Sequence, residues 1–266
     1  MPSQPCSTDA RRRFHGSEAL YGVLAMQQLA AARFCVIGIG GVGSWVAEAL
    51  ARSGVGGISL VDMDHVAESN VNRQVHALGS TLGAAKTAVM RQRIVDINPD
   101  CRVDVIEDWV SVENVAAMFA DGFDMVIDCI DDFRTKAALI AWCRRNKQRM
   151  ITIGGAGGRR DPTCIRVADL IRSENDALLS RTRRLLREDY GFPRNLRRRF
   201  HIPCVYSVEP IQSAGGSAQP NAGALSCAGG LGSSVMVTAA MGLTAAAQAV
   251  DRHLQRLARA GSAAQQ

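Results

Sequence analysis

Aromatic side chains make up only 5% of this 266-residue chain. That argues against a site lined with stacked rings, of the kind that grips carbohydrate or lipid. Lysine is almost missing, with Lys86, Lys136 and Lys147 set against 28 arginines. The eight cysteines include no Cys-x-x-Cys pair, so a zinc knuckle is not expected. Scattered thiols suit a reducing compartment, and the polar N-terminus lacks the apolar core of a signal peptide, so a cytoplasmic location is expected. Residues 210–250 contain no Asp, Glu, Lys, Arg or His. Hydropathy alone would flag 231–250 as a membrane span. That window is mostly Ala, Gly, Ser and Thr, which insert weakly, and the amphipathic DRHLQRLARA follows it. A helix packed closely on a sheet is therefore expected, and membrane contact is not.

What is present is globular: 47% hydrophobic and 21% charged residues exclude a disordered or fibrous chain. The length fits one α/β domain over 1–266 with room for an insertion. The net charge of +6 is localised, because residues 159–201 carry 12 Arg and 6 acids while the remainder balances. A basic segment on a neutral body points to a polyanionic partner, nucleic acid before membrane.

Along the chain, apolar β-runs alternate with helical periods. EALYGVLAMQQLAAA reads as a helix, Arg33 to Ile37 as a strand, Ser44 to Arg52 as a helix, and GISLVD as a strand ending at Asp62. A helix from Ala84 to Ile97 follows, then CRVDVIE, VENVAAMF, FDMVID, KAALIAWCRRN and MITIGG as alternating strands and helices. This order predicts an α/β, Rossmann-like, doubly wound and mostly parallel sheet. Beyond Arg159 the alternation lapses. TCIRVADL and CVYSVEP read as strands around an Arg-rich stretch, and one or two helices close the domain.

Gly38, Gly40, Gly41 and Gly43 lie between the first strand and its helix, with Asp62 at the end of the next strand. Glycines allow backbone to approach phosphates, the helix start favours anions, and Asp62 can accept ribose hydroxyls. Alone, this loop would suggest a nicotinamide-dependent oxidoreductase. Three later features favour ATP. SNVNRQ offers Asn70, Arg73 and Gln74 for ribose and phosphate oxygens. Lys86 stands at a helix start, where a cation opposes the dipole unless a polyphosphate lies against it. Asp128, Asp131 and Asp132 crowd the end of FDMVID and suggest Mg²⁺, although either of the last two could cap the next helix.

GIGGVGSWVAEALARSGVGGISLVDMDHV, SNVNRQ, GAAK and DCIDD, in that order, resemble the adenylating domain of the ubiquitin-activating-enzyme-like superfamily. RFCVIGIGGVGSW, NRQVHAL, Gly154 to Thr163 and SCAGGLGSSVMVT resemble its tRNA threonylcarbamoyladenosine dehydratase branch over nearly the whole chain. Sulfur-carrier activators of the superfamily typically carry two Cys-x-x-Cys zinc pairs, which are missing here.

The resemblance implies that Asp62 holds the adenosine ribose and that Asn70, Arg73 and Lys86 reach ribose or phosphates, with Asp64 and Gln74 in the same site. It implies that Asp131 binds Mg²⁺, that the chain is a homodimer, and that an N-terminal arginine reaches the nucleotide, with Arg13 the candidate. The implied reaction is ATP-dependent cyclisation of threonylcarbamoyladenosine beside the tRNA anticodon, through an acyl-adenylate with Arg73, Lys86 and Asp131 as catalytic residues. The tRNA would meet the basic segment, including Arg181, Arg183, Arg184, Arg187, Arg194, Arg197, Arg198 and Arg199. Cys227 is a possible thiol nucleophile and Cys204 a weaker one, although each reads more simply as a small buried residue. Adenylation of a small ubiquitin-like or sulfur-carrier protein is the alternative, with a sulfur-transfer partner. A silent binding module is disfavoured because Arg73, Lys86 and Asp131 are all present.

Overall fold

The computed structural model describes residues 8–111, 113–119, 122–212 and 231–263. The expectation at Cys227 lies outside them. Among the described residues seven strands occur: β1 (Arg33–Ile37), β2 (Gly57–Val61), β3 (Arg102–Ile106), β4 (Met125–Asp128), β5 (Met150–Ile153), β6 (Ile165–Asp169) and β7 (Pro203–Ser207). The α-helices are α1 (Thr8–Arg13), α2 (His15–Tyr21), α3 (Val23–Ala31), α4 (Gly43–Arg52), α5 (Lys86–Ile97), α6 (Val115–Met118), α7 (Phe133–Arg145), α8 (Ala177–Asp189) and α9 (Val235–Ala263).

The sheet order is β3-β2-β1-β4-β5-β7-β6, parallel except for β6, which runs antiparallel to β7. Side chains alternate across each strand, so β1 feeds both cores. Phe34 and Val36 pack under Val46, Leu50, Met90 and Met241, from α4, α5 and α9. Cys35 and Ile37 face Leu139 and Ile140 of α7 and Leu179 of α8. Burial on both faces explains the near-continuous apolar runs read in the sequence.

The N-terminal helical period divides into α2 and α3 at Gly22, whose φ of 85° is outside the helical region. The lapse after Arg159 has a topological cause: β6 returns antiparallel along the sheet edge, and α8 packs on α7 before the chain re-enters as β7. The closing element is one helix, α9, and no helix among the described residues is long and apolar enough to cross a membrane. Its uncharged first half lies against α4. A Cβ on Gly242 would stand 2.7 Å from the Val42 carbonyl oxygen and 2.8 Å from the Trp45 Cβ. Small residues allow that approach, which accounts for the Ala/Gly-rich composition.

Candidate nucleotide site

The chain winds outward from β1 in both directions, through β2 to β3 and through β4 to β5. The crevice beyond the carboxyl ends of β1 and β4 is therefore the switch point where such sheets hold ligands. The glycine loop lies there. Gly38 has a φ of 85°, and a Cβ on it would stand 3.1 Å from the Cys129 carbonyl oxygen at the end of β4. A Cβ on Gly43, the first residue of α4, would fall 1.8 Å from the Gly38 carbonyl oxygen. The loop thus closes on itself and on β4 only because both positions are glycine.

Asp62 follows β2. Its Oδ2 accepts the Ile39 N–H at 2.6 Å and its Oδ1 the Asp64 N–H at 2.8 Å. Burial pushes its pKa above the usual carboxylate value, against the pull of Lys86 and of those two N–H donors. The carboxylate is tied to the loop itself, with oxygen lone pairs left for a ribose.

The 70–74 turn delivers an arginine to the same loop. A Cβ on Gly41 would meet the Arg73 Cδ at 3.2 Å, so the guanidinium stem lies along the glycine backbone. Trp45 Nε1 donates to the Arg73 carbonyl at 3.0 Å, and the Arg73 guanidinium donates to the Ser69 carbonyl and to Asn72 Oδ1. Asn70 has a structural use of its own: it is buried, and its Oδ1 accepts the Ala67 N–H at 3.1 Å. Gln74 is buried with its Oε1 lacking a partner. His76, unremarked in the sequence reading, is 1% exposed with neither ring nitrogen bonded. Burial, with Lys86 and Arg93 adding to it, lowers its pKa to about 4 and keeps the ring neutral.

Lys86 opens α5 and is buried, with its Nζ 2.7 Å from Asp64 Oδ2. Asp64 therefore offsets the unfavourable helix-end charge and holds the ammonium beside Asp62.

The three carboxylates at and just beyond the end of β4 separate into three roles. Asp128 is fully buried, and the Lys136 Nζ lies 2.8 Å from its Oδ2, which also accepts the Thr152 hydroxyl at 2.7 Å. The cation sharing Asp128 is thus Lys136, a residue the sequence reading passed over, and not a metal ion. Asp132 caps α7 by accepting the Thr135 N–H at 2.7 Å. Asp131 is exposed with no partner among the described residues. A single free carboxylate fits Mg²⁺ held mainly by substrate phosphates, because that ion takes one or two carboxylates and keeps its remaining ligands as phosphate or water.

Arg13 is placed elsewhere. It donates to the carbonyls of Asp96 and Ile97 at the carboxyl end of α5, the end away from Lys86. Cys204 is fully buried, which pushes its thiol far up and makes it a poor nucleophile. Among the basic residues, Arg183 is half-buried against the Ser173 hydroxyl, Arg187 lies over the Phe200 ring, Arg181 over Phe133, and Arg184 pairs with Glu188. Arg194, Arg197, Arg198 and Arg199 are exposed. A second cavity, of about 420 Å³, opens past the carboxyl ends of β5 and β7 between Asn175, Ser180, Arg183 and Pro210.

The model of the ThiF family matches residues 16–256. The tRNA threonylcarbamoyladenosine dehydratase of Escherichia coli is 47% identical over 259 residues, covering 94% of this chain and 97% of the relative. That of Haemophilus influenzae is 46% identical over 248 residues, covering 92% and 94%. The H. influenzae molybdopterin-synthase adenylyltransferase is 30% identical over 135 residues, covering 51% and 54%. The crystal structure of the E. coli tRNA N6-threonylcarbamoyladenosine dehydratase, TcdA, in complex with ATP is similar at a TM-score of 0.89 and 45% identity, over 96% of this chain and 99% of that one. A match that runs from the N-terminal helices into α9 takes in the glycine loop, Arg73, Lys86 and Asp131 together, and the chain belongs to the ThiF family.

Proposed function

We propose that the protein is an ATP-dependent tRNA threonylcarbamoyladenosine dehydratase. The observation that carries this reading is the linkage of the glycine loop to Arg73 and Asp62, and of Asp62 through Asp64 to Lys86, in a chain that matches dehydratases along almost its whole length. Similarity to the molybdopterin-synthase adenylyltransferase stops at about half the chain, which favours the dehydratase over activation of a small carrier protein.

ATP lies with its ribose on Asp62 and its phosphates over the glycine loop. Arg73 and Lys86 neutralise charge that builds on the phosphates as the threonylcarbamoyl carboxylate attacks the α-phosphorus. A carboxyl oxygen–phosphorus bond forms, the bond to the bridging oxygen breaks, and pyrophosphate leaves. Lys86 can turn from Asp64 to the phosphates, a charge-for-charge exchange that keeps the buried ammonium compensated and leaves the half-exposed Asp64 to water. Asp131 is the residue that would hold Mg²⁺, which would supply further charge neutralisation at the phosphates. The neighbouring ureido group then attacks the activated carbonyl and expels AMP. This closure is intramolecular, so orientation can supply several kcal/mol, and no enzyme thioester is needed.

The exposed Arg194 and Arg197 to Arg199 bind tRNA phosphates, with Arg183, Arg184 and Arg187 shaping the surface behind them. The protein acts as a homodimer, for which Leu20 at 77% and Leu24 at 68% exposure offer an apolar contact face. Pyrophosphate exchange into ATP tests the substrate. Exchange stimulated by tRNA bearing threonylcarbamoyladenosine supports the reading. Exchange stimulated instead by a small carrier protein overturns it.

A further inference from the structure

At the opposite end of the sheet, four segments meet around a cleft of about 330 Å³. Arg144 and Lys147 come from the end of α7 and the turn after it, Arg149 from the entry to β5, His201 from the entry to β7, and Arg252 from α9. The lining contains four permanent cations and a histidine, with no acid. The α7 dipole explains a cation at position 144, but it has no bearing on Arg149 or Arg252.

Two further observations set this cleft apart from a solvated Arg-rich surface. Three non-glycine residues among those described have positive φ, and two of them, Lys147 at 56° and His201 at 60°, stand at its rim. Such backbone is strained for a residue with a Cβ and persists where surrounding bonds enforce it. Those bonds are present. Gln148 Nε2 donates to the Phe123 carbonyl at 2.7 Å, and Gln148 Oε1 accepts the Phe123 N–H at 3.2 Å, which clamps the first turn. Asp169 accepts the N–H groups of Phe200 at 3.0 Å and His201 at 2.7 Å, which clamps the second. Secondly, the cations are unspent. Arg144, Lys147 and Arg252 have no acidic partner among the described residues, and Asp124, whose field reaches Arg149, is already taken by Arg256 at 3.2 Å.

We infer that this cleft is a phosphate-binding site that seats backbone phosphodiesters of the tRNA substrate, remote from the nucleotide crevice. The assignment rests on the dehydratase reading. It is continuous in sequence with the exposed Arg197 to Arg199, which lead directly into His201. β4, about 10 Å long, lies between the cleft and the loop that carries Asp131, a span that one arm of a tRNA covers.

The test uses the full chain and the double variant Arg149→Ala/Arg252→Ala, with Arg149→Lys/Arg252→Lys as its charge-preserving control. Affinity for tRNA is measured between 50 and 200 mM salt, beside ATP affinity, turnover and thermal unfolding. The expected result is tRNA binding weakened about tenfold, with a salt slope shallower by about two phosphate contacts in the alanine variant alone. ATP affinity and unfolding temperature stay at wild-type values. A wild-type enzyme that turns over, with an alanine variant whose tRNA affinity and salt slope are unchanged, overturns the site while leaving the dehydratase reading standing. Failure of the wild type to bind or convert the tRNA overturns both. Inorganic phosphate is the second probe. If it stabilises the wild type through these arginines while tRNA affinity ignores them, the site takes a small free anion and the tRNA assignment is wrong.

Discussion

Single residues decide whether the nucleotide crevice exists. Gly43→Ala places a methyl group where the Gly38 carbonyl oxygen stands, so the loop must open; calorimetric titration is expected to show at least a tenfold loss of ATP affinity. Wild-type affinity would show that the loop tolerates a side chain there. Lys136→Met leaves Asp128 buried and unpaired and is expected to cost about 3–5 kcal/mol in urea unfolding. Adding Asp128→Asn should recover much of that cost, and a double variant no more stable than the single one would deny the pairing its importance. His76 makes stability depend on pH. Its pKa is about 4 in the folded state and near 6.5 when exposed. The unfolded chain therefore binds a proton between these values that the native state refuses, and stability falls as pH drops from 6.5 to 4. The slope is at most about 1.4 kcal/mol per unit. His76→Gln is expected to flatten it, as read by urea midpoints at pH 4.5 and 7.

At the scale of elements, strands and helices were legible because buried parallel strands are short apolar runs and their crossover helices carry a different period. Asp62 directly after β2, Lys86 at the start of α5 and Asp131 three residues beyond β4 stand near the ends of elements, positions that element patterns make legible. Side-chain partners were not legible. Lys136 lies eight residues beyond Asp128, on the first turns of α7, and only the packing of that helix over β4 and β5 brings its ammonium to the carboxylate and to Thr152. TCIRVADL was legible as a strand, but the antiparallel direction of β6 was not, since strand direction is set by long-range pairing and not by local pattern. The uncharged stretch before Asp251 is explained by the contact of α9 with α4. Gly242→Val should push the two helices apart, lower the unfolding temperature by several degrees and weaken ATP binding through Val42. Retention of both would show that the helix interface is slack.

The whole molecule separates its two tasks between the ends of one sheet. The carboxyl ends hold the adenylating crevice, and cations gather at the amino ends and along 194–199. Charge reversal at Arg197 to Arg199 is expected to raise the Michaelis constant for tRNA and flatten its salt dependence, with ATP binding unchanged; unaltered tRNA kinetics would reduce that segment to solvated surface. The central claim concerns the reaction itself. The most direct measurement incubates the protein with ATP, Mg²⁺ and tRNA bearing threonylcarbamoyladenosine, digests the tRNA under conditions that spare the ring, and weighs the nucleosides by mass spectrometry. The expected result is ATP-dependent loss of one water at that nucleoside, abolished by Lys86→Met and Asp131→Asn. An unchanged nucleoside mass, with enzyme that binds ATP and tRNA, would contradict the account.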